Sequence, residues 1–132
     1  MAVVPVTVRS RRSFPVRRVL EHYTAAALTT GTNKMEWIVP FDGRITDVIV
    51  TSQAAGSGGT STIIDVNING TTIYTTQARR PTLLVADSGM YTESGEPQVR
   101  NIVAGDLVSY DIDQISTTGP TRTNVTIVIE MP

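Results

Sequence analysis

From residue 34 onward, apolar and polar side chains alternate with a period of two, which is the signature of strands. Met35, Trp37 and Val39 share one face of a first such run. Val108, Tyr110 and Ile112 alternate with Ser109, Asp111 and Asp113, which are expected to face outward. Val125, Ile127 and Ile129 form the inner face of a last run over residues 123–130. Residues 44–52 are apolar on both faces through Ile45, Val48, Ile49 and Val50, which predicts a central strand. Residues 82–85 and 99–103 read as short strands, and residues 54–60 and 86–98 as polar loops. Asp42-Gly43, Gly105-Asp106 and Gly119-Pro120 mark turns between them. About eight short strands with such spacing predict an all-β, antiparallel, jelly-roll-like β-sandwich. Its expected core comprises Trp37, Val48, Val66, Ile73, Val108, Tyr110, Ile127 and Ile129.

The strongest local signal lies at residues 63–76. Asn69-Gly70 joins two β-prone runs, and a two-residue hairpin turn needs positive φ at both central positions. The implied register sets Ile68 opposite Thr71, Val66 opposite Ile73 and Asp65 opposite Tyr74. One face is then mostly apolar. The other carries Asp65, Asn67 and Tyr74 and is expected to be the polar, solvated face.

The first thirty residues look different. Val3, Val4, Val6 and Val8 are β-prone, but Pro5 and Pro15 each remove a backbone donor. Residues 1–30 are read as a basic, extended N-terminal arm and linker, and residues 31–132 as the sandwich domain. Residues 16–28 fit a helical stripe (Val16, Val19, Leu20, Tyr23) about as well as a strand. Extended structure is preferred because everything after it is β.

Charge sharpens this division. Residues 1–20 contain five arginines (Arg9, Arg11, Arg12, Arg17 and Arg18) and no acid. The other 112 residues hold six basic and twelve acidic side chains, a balance of −6. A basic arm on an acidic body points to docking on an acidic protein surface. Nucleic acid is not expected as a partner, since the acidic body opposes it and few aromatics interleave with the arginines. The arm residues expected to contact a partner are Val4, Val6, Val8, Arg9, Arg11, Arg12, Arg17 and Arg18.

Candidate chemistry is sparse. The chain has no cysteine and one histidine, His22, which is read as a surface or interface residue. That excludes disulfides, thiolate metal sites and histidine metal clusters. No nucleophile-elbow pattern occurs, so no enzymatic activity, cofactor or metal is expected. Asp65, Asp111, Asp113, Asp87, Glu93 and Glu96 could supply oxygen ligands to calcium, but without EF-hand spacing they read as a solvated acidic face. No apolar run approaches the length of a membrane span, and the N-terminus lacks the pattern of a signal peptide.

Three segments carry a family resemblance: PFDGRITDVIV from Pro40, IIDVNINGTTIYTTQARRPT from Ile63, and AGDLVSYDIDQI from Ala104. Together they resemble a family of phage virion proteins. These are small β-sandwich or jelly-roll modules found as head decoration (cement) proteins and in tail fibres. The resemblance spans roughly residues 36–130 and consists of strand and turn patterns. It implies a non-enzymatic, homotrimeric protein made in the host cytoplasm and placed on the outer surface of the phage head. The implied partners are the major capsid protein and neighbouring copies of itself. The alternative it implies is a tail-fibre or receptor-binding module recognising host carbohydrate.

Overall fold

A computed structural model describes residues 15–85 and 91–132, with backbone alone for Tyr91 and Glu93. Among these residues the protein is all-β, and its one helical element is a 3₁₀ turn, Gln77–Arg79. No helix there is long and apolar enough to cross a membrane.

Ten strands form two antiparallel sheets. The first sheet contains β1 (Arg17–Thr24), β3 (Gly43–Ala54), β7 (Tyr91–Glu93), β8 (Asn101–Ile102) and β10 (Thr121–Glu130). Its order is β1-β10-β3, with β7 and β8 pairing different portions of the far edge of β3. The second sheet contains β2 (Gly31–Ile38), β4 (Thr62–Ile68), β5 (Thr71–Thr72), β6 (Thr82–Leu83) and β9 (Leu107–Gln114). Its order is β2-β9-β4, with β5 and β6 on β4. The expected sandwich is therefore present, with six long strands and four of two or three residues. β7 and β8 are two of the short ones. β7 forms inside the stretch read as a long loop.

The core lies between the sheets. Val48, Val66, Ile73, Val108, Tyr110, Ile127 and Ile129 are all buried, as their alternation predicted. Trp37 is the exception. It lies on the edge strand β2, is only partly buried, and tilts against Tyr110 with ring centroids 6.2 Å apart. An edge strand has one neighbour, so its largest side chain keeps contact with solvent. Strand β3 is central, between β10 on one side and β7 and β8 on the other; Ile45, Val48 and Val50 are buried in the core and Ile49 is half-buried on the other face.

Two expectations are corrected. First, Arg17–Thr24 does not leave the sandwich. It is β1, paired with β10 over eight consecutive positions from Arg17–Glu130 to Thr24–Thr123. The sandwich therefore begins near Arg17 and not at residue 31. Leu20, His22 and Thr24 turn half-inward there while Val19, Glu21 and Tyr23 face out, so the strand period prevails over the helical stripe. Residues 1–14, with the rest of the expected arm, lie outside the described residues.

Second, the supposed polar face of the hairpin is not solvated. Asp65 and Asn67 are each 7% exposed, Ser109 1% and Tyr74 0%. Strand β4 is central in its sheet, flanked by β9 and by β5 and β6, and the polar groups bond one another. Thr72 donates its hydroxyl to Asp65 at 2.6 Å, and Asn67 donates its amide to Asp111 at 2.9 Å. The backbone N–H of Asn33 caps the other oxygen of Asp111 at 2.8 Å. A buried polar row costs little when its members satisfy each other. Among the described residues the Ser109 hydroxyl has no such partner.

Burial pushes the Asp65 carboxyl above its ordinary value, against the lowering effect of the Thr72 bond. The charged form is thus disfavoured in the folded chain. Asp65 subtracts stability above its folded pKa, and that loss vanishes as pH falls below the unfolded value of about 3.9. Asp65→Asn keeps an acceptor for Thr72 and removes the ionisation. Urea midpoints should rise relative to wild type at pH 7 and converge near pH 3. An unchanged or lower midpoint at pH 7 would mean that the Asp65–Thr72 bond outweighs the burial cost.

Candidate docking surface

The Asn69-Gly70 turn is real and its function is structural. Asn69 has φ 50° and Gly70 φ 82°, the left-handed values that a two-residue hairpin turn needs. Ile68 pairs with Thr71, and Ile73 N–H donates to Val66 O at 2.9 Å. The second strand then ends early, because the chain turns into Gln77–Arg79. Asn69 also clamps a second turn. Its amide donates to Asp106 at 3.0 Å, and its side-chain oxygen accepts from Leu107 N–H at 2.9 Å. The bonds from Val103 N–H and Asn69 hold the Asp106 carboxyl below its usual range.

His22 lies within a seam between the sheets, not on the open surface. Its Nδ1 is 2.5 Å from the Tyr110 hydroxyl, and the rings are 5.7 Å apart. Burial raises the Tyr110 pKa. A cavity of about 220 Å³ opens beside them, lined also by Lys34, Thr24, Thr29 and Leu28. No serine or carboxylate lines it, so His22 has no triad there. A shallow groove of about 340 Å³ lies elsewhere, lined by Arg44, Asn101, Val103, Glu130 and Met131 among others.

The acids do not converge either. Asp113 is paired with Arg80 at 2.5 Å, and Glu96 with Arg100. Among the described residues no group of three histidines or acids is placed to hold a metal ion. Asp87 and the side chain of Glu93 are outside the described residues.

Of the partner-contact residues expected from sequence, only Arg17 and Arg18 are described. Both open β1 and both are exposed. Arg17 reaches Glu130 at 4.0 Å and keeps 61% of its side chain exposed, while Arg44 shares the same carboxylate at 3.3 Å. Such exposed pairs contribute about 0–1 kcal/mol each, so Arg17 is held loosely. The Arg18 side chain has no hydrogen bond or ion pair among the described residues, while its backbone pairs with Ile129. Val4, Val6, Val8, Arg9, Arg11 and Arg12 lie outside them.

What sequence reasoning missed is the edge that these arginines sit on. Val16 is 52% exposed, Val19 53% and Tyr23 55%, all on or beside β1. The alternation of Val19, Glu21 and Tyr23 with Leu20 and His22 was visible. That its outer edge would be open was not, because this depends on which strand β10 recruits.

No protein-family model matches the chain, and no curated protein matches it. Solved structures similar to the chain include two. One is a chain of the cyanophage Pam1 capsid asymmetric unit, with a TM-score of 0.48 at 16% identity, covering 98% of this chain and 100% of that one. The other is the catalytic unit of a GH87 α-1,3-glucanase from Streptomyces thermodiastaticus, with a TM-score of 0.46 at 17% identity. That match covers 87% of this chain, which spans about a quarter of the glucanase chain (26%).

Proposed function

We propose that this protein is a non-enzymatic capsid decoration protein of a bacteriophage, bound to the outside of the head through its sandwich and its basic N-terminal segment. The observation that supports the reading is the charge asymmetry of the chain. Residues 1–20 hold five arginines and no acid, the other 112 residues sum to −6, and the two of those arginines that are described, Arg17 and Arg18, open the exposed start of β1. The resemblance of three strand-and-turn segments to phage virion proteins supplies the class of partner. Guanidinium groups pair with carboxylates in a bidentate way, so an acidic patch on a capsid protein is the complementary surface. Binding that favours the assembled shell stabilises it by linkage, with no chemistry required. The carbohydrate-binding alternative gains nothing from Trp37, whose ring is packed against Tyr110 and is not a free stacking platform.

The test is co-sedimentation of the full chain with undecorated phage heads at low and high salt. Wild-type protein should bind, more weakly as salt screens the contacts. The triple variant Arg9→Ala, Arg11→Ala, Arg12→Ala should lose most binding at low salt while keeping its circular dichroism spectrum. Undiminished binding by the variant, or no binding by wild type at either salt, would refute the proposal.

A further inference from the structure

We infer that the outer edge of β1 is an acceptor for the N-terminal segment of a second copy, with Val4, Val6 and Val8 adding a strand parallel to it. The inference rests on the reading above only in holding that the N-terminal segment acts between molecules.

The edges of the two sheets are protected unequally. Open edges invite pairing, and natural proteins blunt them with short strands, lysines, prolines or bulges. β5, β6, β7 and β8 are two or three residues long. β2 is long but guarded. Its ladder to β9 shifts register between Gly31 and Met35, Asn33 sits at φ 49°, and the only lysine of the chain, Lys34, lies in that interruption. β1 is long and lacks lysine, proline and bulge, and its charged side chains are confined to Arg17 and Arg18 at its start and Glu21 at its middle. Its ladder to β10 runs through eight positions without a shift. Every second N–H and C=O of β1 points away from β10, and none finds a backbone partner among the described residues. Val19 and Tyr23 flank that edge on the exposed face, ready for cross-strand apolar pairs.

The segment before β1 fits the edge. In a strand, residues of one parity direct their N–H groups to one side. If Val4, Val6 and Val8 face β1, then Pro5 and Thr7 face away, and the donor that Pro5 lacks is not needed. The same proline blunts the outer edge of the added strand, which discourages a further strand from joining that sheet.

Charge and chain length select a second copy. Folding back antiparallel on its own β1 sets Arg9, Arg11 and Arg12 beside Arg17 and Arg18. Like charges opposed across strands are destabilising. A parallel run carries them to the far end of β1, past Glu21. Within one chain a parallel crossover needs a dozen or more residues, and only eight separate Val8 from Arg17. A neighbouring chain has no such limit.

The experiment uses the full chain and two proline variants. Light scattering across concentration reads the oligomer, and hydrogen exchange reads the amides of Arg17–Thr24. Val6→Pro removes a donor aimed at β1, whereas Thr7→Pro removes one aimed at solvent. Val6→Pro should raise the dissociation concentration on the order of tenfold or more and speed exchange at alternate β1 amides. Thr7→Pro should change both by less than about twofold, as an outward donor contributes no strand bond. A monomeric wild type with freely exchanging alternate amides overturns the inference. So does a monomer with protected amides, which would mean self-pairing, or an equal effect of the two prolines. Oligomers that respond as expected yet ignore phage heads would refute the capsid reading and leave this one standing.

Discussion

Ile127→Ala should lower the unfolding free energy by about 2–5 kcal/mol, measured by urea titration of the full chain. Ile127 is fully buried on β10, the strand that holds the first sheet together through β1 on one side and β3 on the other. Its Cα partners are Leu20 and Val48, and its side chain faces the second sheet. Truncation removes apolar surface from the middle of both ladders, where the backbone cannot collapse into the void without breaking strand bonds. A loss below about half a kcal/mol would place Ile127 outside the core.

Gly119→Ala should be of comparable severity for a different reason. A Cβ at this position would stand 2.4 Å from the carbonyl oxygen of Leu28 and 3.2 Å from its nitrogen. The obstruction is backbone, and that backbone is fixed, because Leu28 N–H donates to Pro120 O at 2.9 Å. Relief requires the β1–β2 connection to move off the β9–β10 loop, exposing Leu28, which is 4% exposed. Overpacking of this kind costs typically about 1–3 kcal/mol, with the broken bond in addition. Thermal melts check it, and an unchanged midpoint would show that the two loops separate freely. Gly70 is the contrasting case. Nothing lies within 4 Å of its missing Cβ, so only its φ of 82° demands glycine. The Asn-Gly pair announced that demand in the sequence, whereas the close approach at Gly119 is a long-range contact that no local pattern encodes.

The same divide runs through the whole molecule. The period-two alternation and the turn residues determined an all-β sandwich, most of its core, and the register of the Asn69-Gly70 hairpin. These features depend on neighbours a few residues apart, so the local pattern suffices. The fate of the polar side of that hairpin was decided by tertiary structure alone. Asp65 and Asn67 alternate as surface residues do, but β4 became a central strand, and Thr72 and Asp111 closed over them with hydrogen bonds. Residues 17–24 are the other case. Their sequence is divided between helix and strand, and the pairing with β10, about a hundred residues away, resolves it. That pairing also makes β1 an outer strand. Arginine clustering is written in the sequence, but the edge beside it exists only once the sheet has an order, in which β10 is the one neighbour of β1 among the described residues.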